Sequence, residues 1–248
     1  MASNGNDIVV RLKGIGKVYA SGALQVTALE DINVEVARGE MVAITGPSGS
    51  GKSTLMNVLG CLDRPSSGVY ELGGRNVARM GDDDLAAMRN RFLGFIFQNY
   101  NLLPLQSAQQ NVELPLIYRG MARRARHEAA RAALAAVGLS DRMHHRPAEL
   151  SGGQQQRVAI ARALAAQPEV LLGDEPTGNL DSRTGTEIMA LIQRLNEQGL
   201  TVIMVTHDPR IARHCRRVVS VADGHIVGDE QVTDRLIAQP GAAEPVSA

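Results

Sequence analysis

Met41-Val42-Ala43-Ile44-Thr45-Gly46-Pro47-Ser48-Gly49-Ser50-Gly51-Lys52-Ser53-Thr54 is the stretch on which the fold turns. Residues 41–44 are an apolar run of strand length, and residues 53–59 read as a helix. Between them, residues 46–53 fit G-x-x-x-x-G-K-[ST] in the strand–loop–helix setting that gives this pattern its meaning. Glycines at 46, 49 and 51 let the backbone wrap phosphates with its N–H groups turned inward. Lys52 supplies a point charge to the β and γ phosphates, and Ser53 offers a hydroxyl to Mg²⁺. The loop, with Pro47, Ser48, Ser50 and Thr54, specifies a nucleoside triphosphate and no more.

A second anion site stands far along the chain. Leu150-Ser151-Gly152-Gly153-Gln154 opens the helical run 155–164. Free backbone N–H groups, the positive end of the helix dipole and the Ser151 hydroxyl together suit a phosphate. Residues 170–175, Val-Leu-Leu-Gly-Asp-Glu, form a buried strand that ends in two carboxylates. Ligands of open parallel sheets bind beyond the carboxyl ends of strands. Asp174 is therefore placed to orient Mg²⁺, and Glu175 is the candidate base for an attacking water. Gln98 and His207 also follow strands. Gln98 can ligate Mg²⁺ through a neutral amide, and His207 can hydrogen-bond the γ phosphate. Tyr19 precedes the phosphate-loop strand and can stack on adenine. Taken singly, Gln98, His207 and Tyr19 read as ordinary residues; their position is what adds meaning.

Strand–helix–strand alternation with nearly continuous apolar strands argues an α/β fold with a mostly parallel sheet. Residues 8–18 and 32–36 alternate as half-buried strands, and 94–97, 169–173, 201–205 and 217–221 read as further strands. The stretch 108–166 is mostly helical, including an amphipathic helix over 123–137 closed by Gly138, and another helix spans 182–196. Residues 238–248, rich in Pro, Ala and Gly, read as a disordered tail.

Lys+Arg and Asp+Glu balance at 26 each, so net charge argues for neither nucleic acid nor an anionic lipid surface as a partner. Cys61 and Cys215 show no metal or disulfide spacing, which suits a reducing compartment. The N-terminal residues lack a signal-peptide pattern, and no apolar run approaches the ~20 residues of a membrane span. A cytoplasmic chain that serves any membrane through a partner is expected. Asp82-Asp83-Asp84 reads as a helix start, Arg123, Arg124 and Arg126 as a solvated helix face, and His144-His145 as surface loop.

In order, Tyr19, the phosphate loop, Gln98, the Ser151 to Gln154 turn, Asp174-Glu175, Asn179-Leu180-Asp181 and His207 resemble the ATP-binding subunits of ABC transporters over roughly residues 8–235. The resemblance implies a P-loop NTPase core (1–98 and 167–237) with an antiparallel β subdomain and an inserted helical subdomain (about 99–166). It implies ATP and Mg²⁺, with two copies sandwiching the nucleotides and Asp181 shaping their contact. Gly60 to Pro65, Gln98 to Pro104, Asn111 to Leu116 and Ser151 to Arg157 are similar to the macrolide-exporter and lipoprotein-releasing branch (MacB and LolD type). That branch implies a permease partner in the inner membrane, with a periplasmic adaptor, and a place on its cytoplasmic face. Ser107-Ala108-Gln109-Gln110 departs from the branch's usual Thr-Ala-x-Glu where the permease should dock, and Gly173 replaces a common Ala. The alternatives are a cell-division (FtsE-like) ATPase and a soluble ATPase acting on DNA or ribosomes. Against the latter, there is no room for a coiled-coil arm, no CxxC, and each motif occurs once. A lone P-loop kinase or GTPase leaves the Ser151 turn unexplained.

Overall fold

The computed structural model describes residues 8–22 and 24–239, with Ser21 and Leu24 described by their backbone alone. Strands β1 (Ile8–Ser21) and β2 (Leu24–Ala37) form a long antiparallel hairpin. β4 (Ser67–Leu72) and β5 (Arg75–Asn76) extend it into a four-stranded sheet ordered β2-β1-β4-β5. The second sheet runs β10-β9-β3-β8-β7-β6, built from β3 (Met41–Thr45), β6 (Leu93–Phe97), β7 (Val170–Asp174), β8 (Thr201–Val205), β9 (Arg217–Ala222) and β10 (His225–Gln231). Its pairings are parallel except for the β9–β10 edge. The mostly parallel sheet is as the apolar strands require.

Both faces of the central strands β3, β7 and β8 are buried, which is why these strands lack alternation. Val42, Ile44, Leu172, Ile203 and Val205 pack toward the antiparallel sheet, with α1 (Lys52–Leu59) and α2 (Asp82–Phe92) between. Met41, Ala43, Leu171, Val202 and Met204 pack on the other side. There they meet α3 (Ala108–Tyr118), α4 (Arg123–Ala136), α5 (Gly152–Ala165) and α6 (Ser182–Glu197). The helices of the 99–166 insertion thus share one buried cluster with the sheet rather than enclosing a core of their own.

Several elements exceed their sequence reading. β2 starts at Leu24 rather than near 32, because residues 25–27 are solvent-exposed and carry no burial pattern to read. β5 and β10 were silent for the same reason, each being largely exposed, whereas β4 is short and buries only Tyr70 and Leu72. The helix over 82–91 and the Gly138 cap are present, Gly138 with φ +75°. The segment expected to be a disordered tail begins tied down. Ala238 N–H donates to Gln193 Oε1 at 2.9 Å, and buried Gln193 Nε2 donates to the carbonyls of His214 (2.9 Å) and Leu236 (2.7 Å). Residues 240–248 of that segment lie outside the described residues.

Burial pushes the Cys215 thiol up to about 12 and the Cys61 thiol up to about 11. Neither forms thiolate near neutrality, so both are expected to resist iodoacetamide in the native protein and to react only on unfolding. Mass spectrometry after native labelling at pH 7.5 checks this; rapid native alkylation of either thiol contradicts the packing.

Candidate functional site: a phosphate cleft and a detached helix cap

The carboxyl ends of β3, β7 and β8 open into a cleft of about 1260 Å³. Gly46, Pro47, Ser48, Gly49, Gly51, Lys52, Ser53 and Thr54 form its floor, and Gln98, Asp174, Glu175 and His207 line its wall. Val26, Thr27 and Ala28 of β2 close the side toward the antiparallel sheet, and Asp223 and Gly224 of the β9–β10 turn also line it.

The floor is shaped for an anion. Gly51 starts α1 at φ 102° with no side-chain cap and no acidic residue in the first turn, so the helix's leading N–H groups are left for a ligand. Lys52 Nζ folds over the loop to the carbonyls of Gly46 (2.7 Å) and Pro47 (2.6 Å), putting the cation inside the loop's own curl. Ser50 Oγ is buried without a partner. Gly46 has φ 151°, and a Cβ there would stand 2.0 Å from the Val221 carbonyl oxygen, so the loop's approach to β9 demands glycine.

The wall holds the titratable groups. Glu175 follows β7 in a left-handed backbone conformation, φ +47°, that is costly for a side chain bearing a Cβ. Its N–H donates to Val205 O at 2.9 Å, and its carbonyl accepts from Gly178 N–H at 3.0 Å. Two donors from His207 converge on Glu175 Oε1: the backbone N–H at 3.1 Å and ring Nδ1 at 2.5 Å. Oε2 has no partner among the described residues and is free to polarise a water. The hydrogen bond to Glu175, then its charge, raises the His207 pKa. Burial, then the Glu175 charge, raises that of Asp174. Ser53, Gln98 and Asp174 offer hydroxyl, amide and carboxylate oxygens, a donor set that fits a hard cation such as Mg²⁺. Among the described residues no cluster of His, Cys, Asp and Glu could hold a metal by itself, so phosphate oxygens would complete the shell.

Besides buried Ser50, six residues from the sequence reading do not line this cleft. Ser151 caps α5, accepting from Gln154 N–H at 3.3 Å, while Gln154 Oε1 accepts from Ser151 N–H at 2.9 Å. Asp181 caps α6 through Thr184 N–H (3.0 Å) and also accepts from Thr184 Oγ1 (2.6 Å). These two helix starts touch: a Cβ on Gly153 would stand 2.4 Å from Thr184 Cγ2, and one on Gly152 would stand 3.0 Å from the Tyr100 hydroxyl. Ser151, Gly152, Gly153, Gln154 and Asp181 thus form a patch of their own. Tyr19 pairs with Val26 across the β1–β2 ladder at the cleft's edge.

Asn179 and Arg162 escaped the sequence reading as site residues. Asn179 Nδ2 donates to Gln98 O (3.0 Å) and Asn99 Oδ1 (2.8 Å), joining the Gln98 segment to the Asp181 segment. Arg162 of α5 donates to the carbonyls of Tyr100 (2.8 Å) and Asn101 (2.5 Å), which have φ +59° and +47°. Burial lowers the Arg162 pKa. Asn179 stands in the Asn179-Leu180-Asp181 motif without a role assigned to it, and the signal for Arg162 is slight, one Arg on a helix.

A family model described as ABC transporter matches residues 29–178, across the phosphate loop, the α5 cap and both wall carboxylates. The chain belongs to the ABC transporter family. This ABC chain is 54% identical over 241 residues to the macrolide export ATP-binding/permease protein MacB 1/2 of Paracoccus denitrificans, covering 97% of itself and 36% of that protein. It is 51% identical to MacB of Photorhabdus laumondii, over 96% of itself and 37% of that relative. The chain therefore spans little more than a third of the length of these relatives, and it matches the MacB/LolD-like branch. Among solved structures it is similar to the ATP-binding cassette MJ0796, described as a dimeric post-hydrolysis state bound to ADP and Pi. The TM-score is 0.82 at 44% identity, covering 90% of this chain and 98% of that one. Among the described residues no helix is long and apolar enough to cross a membrane. At Ser107 the ABC chain's departure from its branch proves conservative. Ser107 Oγ accepts from Gln110 N–H (3.2 Å) and Gln110 Oε1 from Ser107 N–H (2.8 Å), so Ser/Gln builds the same reciprocal cap as Thr/Glu.

Proposed function

We propose that this cassette binds and hydrolyses ATP with Mg²⁺ at a site built from two copies, and that the resulting motion drives a membrane permease. One observation carries the reading: the phosphate cleft and the Ser151 cap are separate surfaces of one chain, each half of a nucleotide site. In the shared site, the loop 46–54 and Lys52 hold the phosphates, and Ser53, Gln98 and Asp174 hold the cation, which neutralises phosphate charge. Glu175 polarises the water and His207 steadies both Glu175 and the γ phosphate. Ser151, Gly152, Gly153 and Gln154 of the second copy close over that phosphate, with Asp181 at the seam. Tyr19 stacks on the base.

Closure on ATP and opening after hydrolysis would move the 99–166 helices against the sheet, because Asn179 ties the Gln98 segment to the start of α6 and Arg162 ties Tyr100 and Asn101 to the last turn of α5. The relatives' names and the branch support an inner-membrane permease reached from the cytoplasmic face, with efflux or the release of lipoprotein or other periplasmic cargo through an adaptor. Complementation tests the shared site. Lys52→Ala and Ser151→Phe chains, each inactive alone, are expected to regain ATPase activity when mixed, because the mixed dimer holds one intact composite site. No recovery, with dimers confirmed by light scattering, refutes the two-copy site. Wild-type ATPase rate is also expected to rise more steeply than linearly with protein concentration; strict linearity in a range where the chain is monomeric refutes it as well.

A further inference from the structure

The geometry points to Asp63 as a positioning residue that holds Tyr19 in place for the nucleotide base. This rests on Tyr19 being the base platform. Asp63 lies just beyond α1, the helix that rises from the phosphate loop. Its N–H and that of Leu62 both donate to Asn57 O, at 3.2 and 2.9 Å, folding this segment onto the last turn of α1. The carboxylate is fully engaged. Oδ2 accepts the Tyr19 hydroxyl at 2.9 Å, and Oδ1 accepts Lys17 Nζ at 2.6 Å and Arg64 N–H at 2.7 Å. Lys17 Nζ also donates to Arg64 O at 2.8 Å.

Lys17 and Tyr19 stand two residues apart on β1 and so share a face of the strand. The Lys17 ammonium lies 4.8 Å from the Tyr19 ring centroid, covering one face of the ring with a cation. The other face is left to a ligand. Tyr19 is 41% exposed, and an untethered tyrosine at such an edge would lose rotamer freedom only when the base arrives. Asp63 removes that cost beforehand. Because it hangs from α1, it also sets the distance from the base platform to the phosphate loop.

Affinities for Mg-ATP and for Mg-tripolyphosphate, which has phosphates and no base, test the role. Asp63→Ala is expected to weaken Mg-ATP by about tenfold and to leave Mg-tripolyphosphate within about twofold. Tyr19→Phe, which keeps the ring and cuts the tether, is expected to shift in the same direction. Adding Asp63→Ala to Tyr19→Ala is expected to change nothing further. If Asp63→Ala fails to fold, Tyr19→Phe, which cuts the same hydrogen bond, is read in its place on the same two ligands. Equal weakening of both ligands, or unchanged Mg-ATP affinity, overturns the assignment. If Tyr19→Ala leaves the ratio of the two affinities untouched, the stacking reading itself fails. If it shifts that ratio and Asp63→Ala does not, only the role of Asp63 is lost.

Discussion

Replacing Glu175 by Gln is expected to cut ATP turnover by about a hundredfold to ten-thousandfold while leaving ATP binding intact. The structure explains why so small a change should act so selectively. Glu175 Oε1 accepts both His207 donors, and the carbonyl oxygen of a glutamine can accept them in the same place. The left-handed backbone at 175 is set by the Val205 and Gly178 hydrogen bonds, which the side chain does not make. What disappears is the carboxylate oxygen with no partner among the described residues, the atom able to take a proton from water. Without that step the closed pair has no route to opening, so the variant should accumulate as an ATP-bound dimer. Gel filtration with and without Mg-ATP, beside a single-turnover assay, measures both effects. Normal turnover in the variant removes Glu175 from the catalytic role. Dimers that fail to accumulate despite lost turnover separate hydrolysis from opening.

Lys52→Ala is expected to weaken Mg-ATP binding by about a hundredfold, the value of a charge-assisted contact to phosphate in a partly enclosed site. Here the ammonium spans the carbonyls of Gly46 and Pro47, so it fills the loop's interior as well as charging it. Those carbonyls face the cleft and can turn to water, so folding stability should fall by no more than about 1 kcal/mol. Lys52→Arg restores charge but not shape, since a planar fork cannot sit where the compact ammonium does, and it should recover little. Calorimetric titration with Mg-ATP, beside a thermal melt, checks the pair. An unchanged affinity in the alanine variant moves the phosphate away from residues 46–54.

The parts of the site that were legible share a cause. Gly46, Lys52 and Ser53 are bound to one another by chain geometry, because a loop between a strand and a helix leaves few ways to present N–H groups to phosphate. Ser151 with Gln154 carries its own cap within four residues. Local rules of this kind survive whatever the rest of the chain does. Asn179 and Arg162 were not legible as site residues, since each acts on backbone groups about 60 to 80 positions away. β5 and β10 escaped because a strand exposed to water needs no apolar alternation.

Taken alone, the sequence determined the chemistry of each half: a phosphate loop, a strand ending in Asp174 and Glu175, and a capped helix at Ser151. Those depend on neighbours in the chain, where sterics and helix-end hydrogen bonding act over a few residues. Only the tertiary structure decided which halves meet. It brings Gln98, Asp174, Glu175 and His207 to the loop because β3, β8, β7 and β6 pair in parallel register and align their carboxyl ends. It keeps Ser151 apart because α5 packs with the helices on the opposite face of the sheet from α1. That separation follows from burying both faces of the sheet's central strands, and it puts the phosphate loop and the Ser151 cap on separate surfaces of one chain.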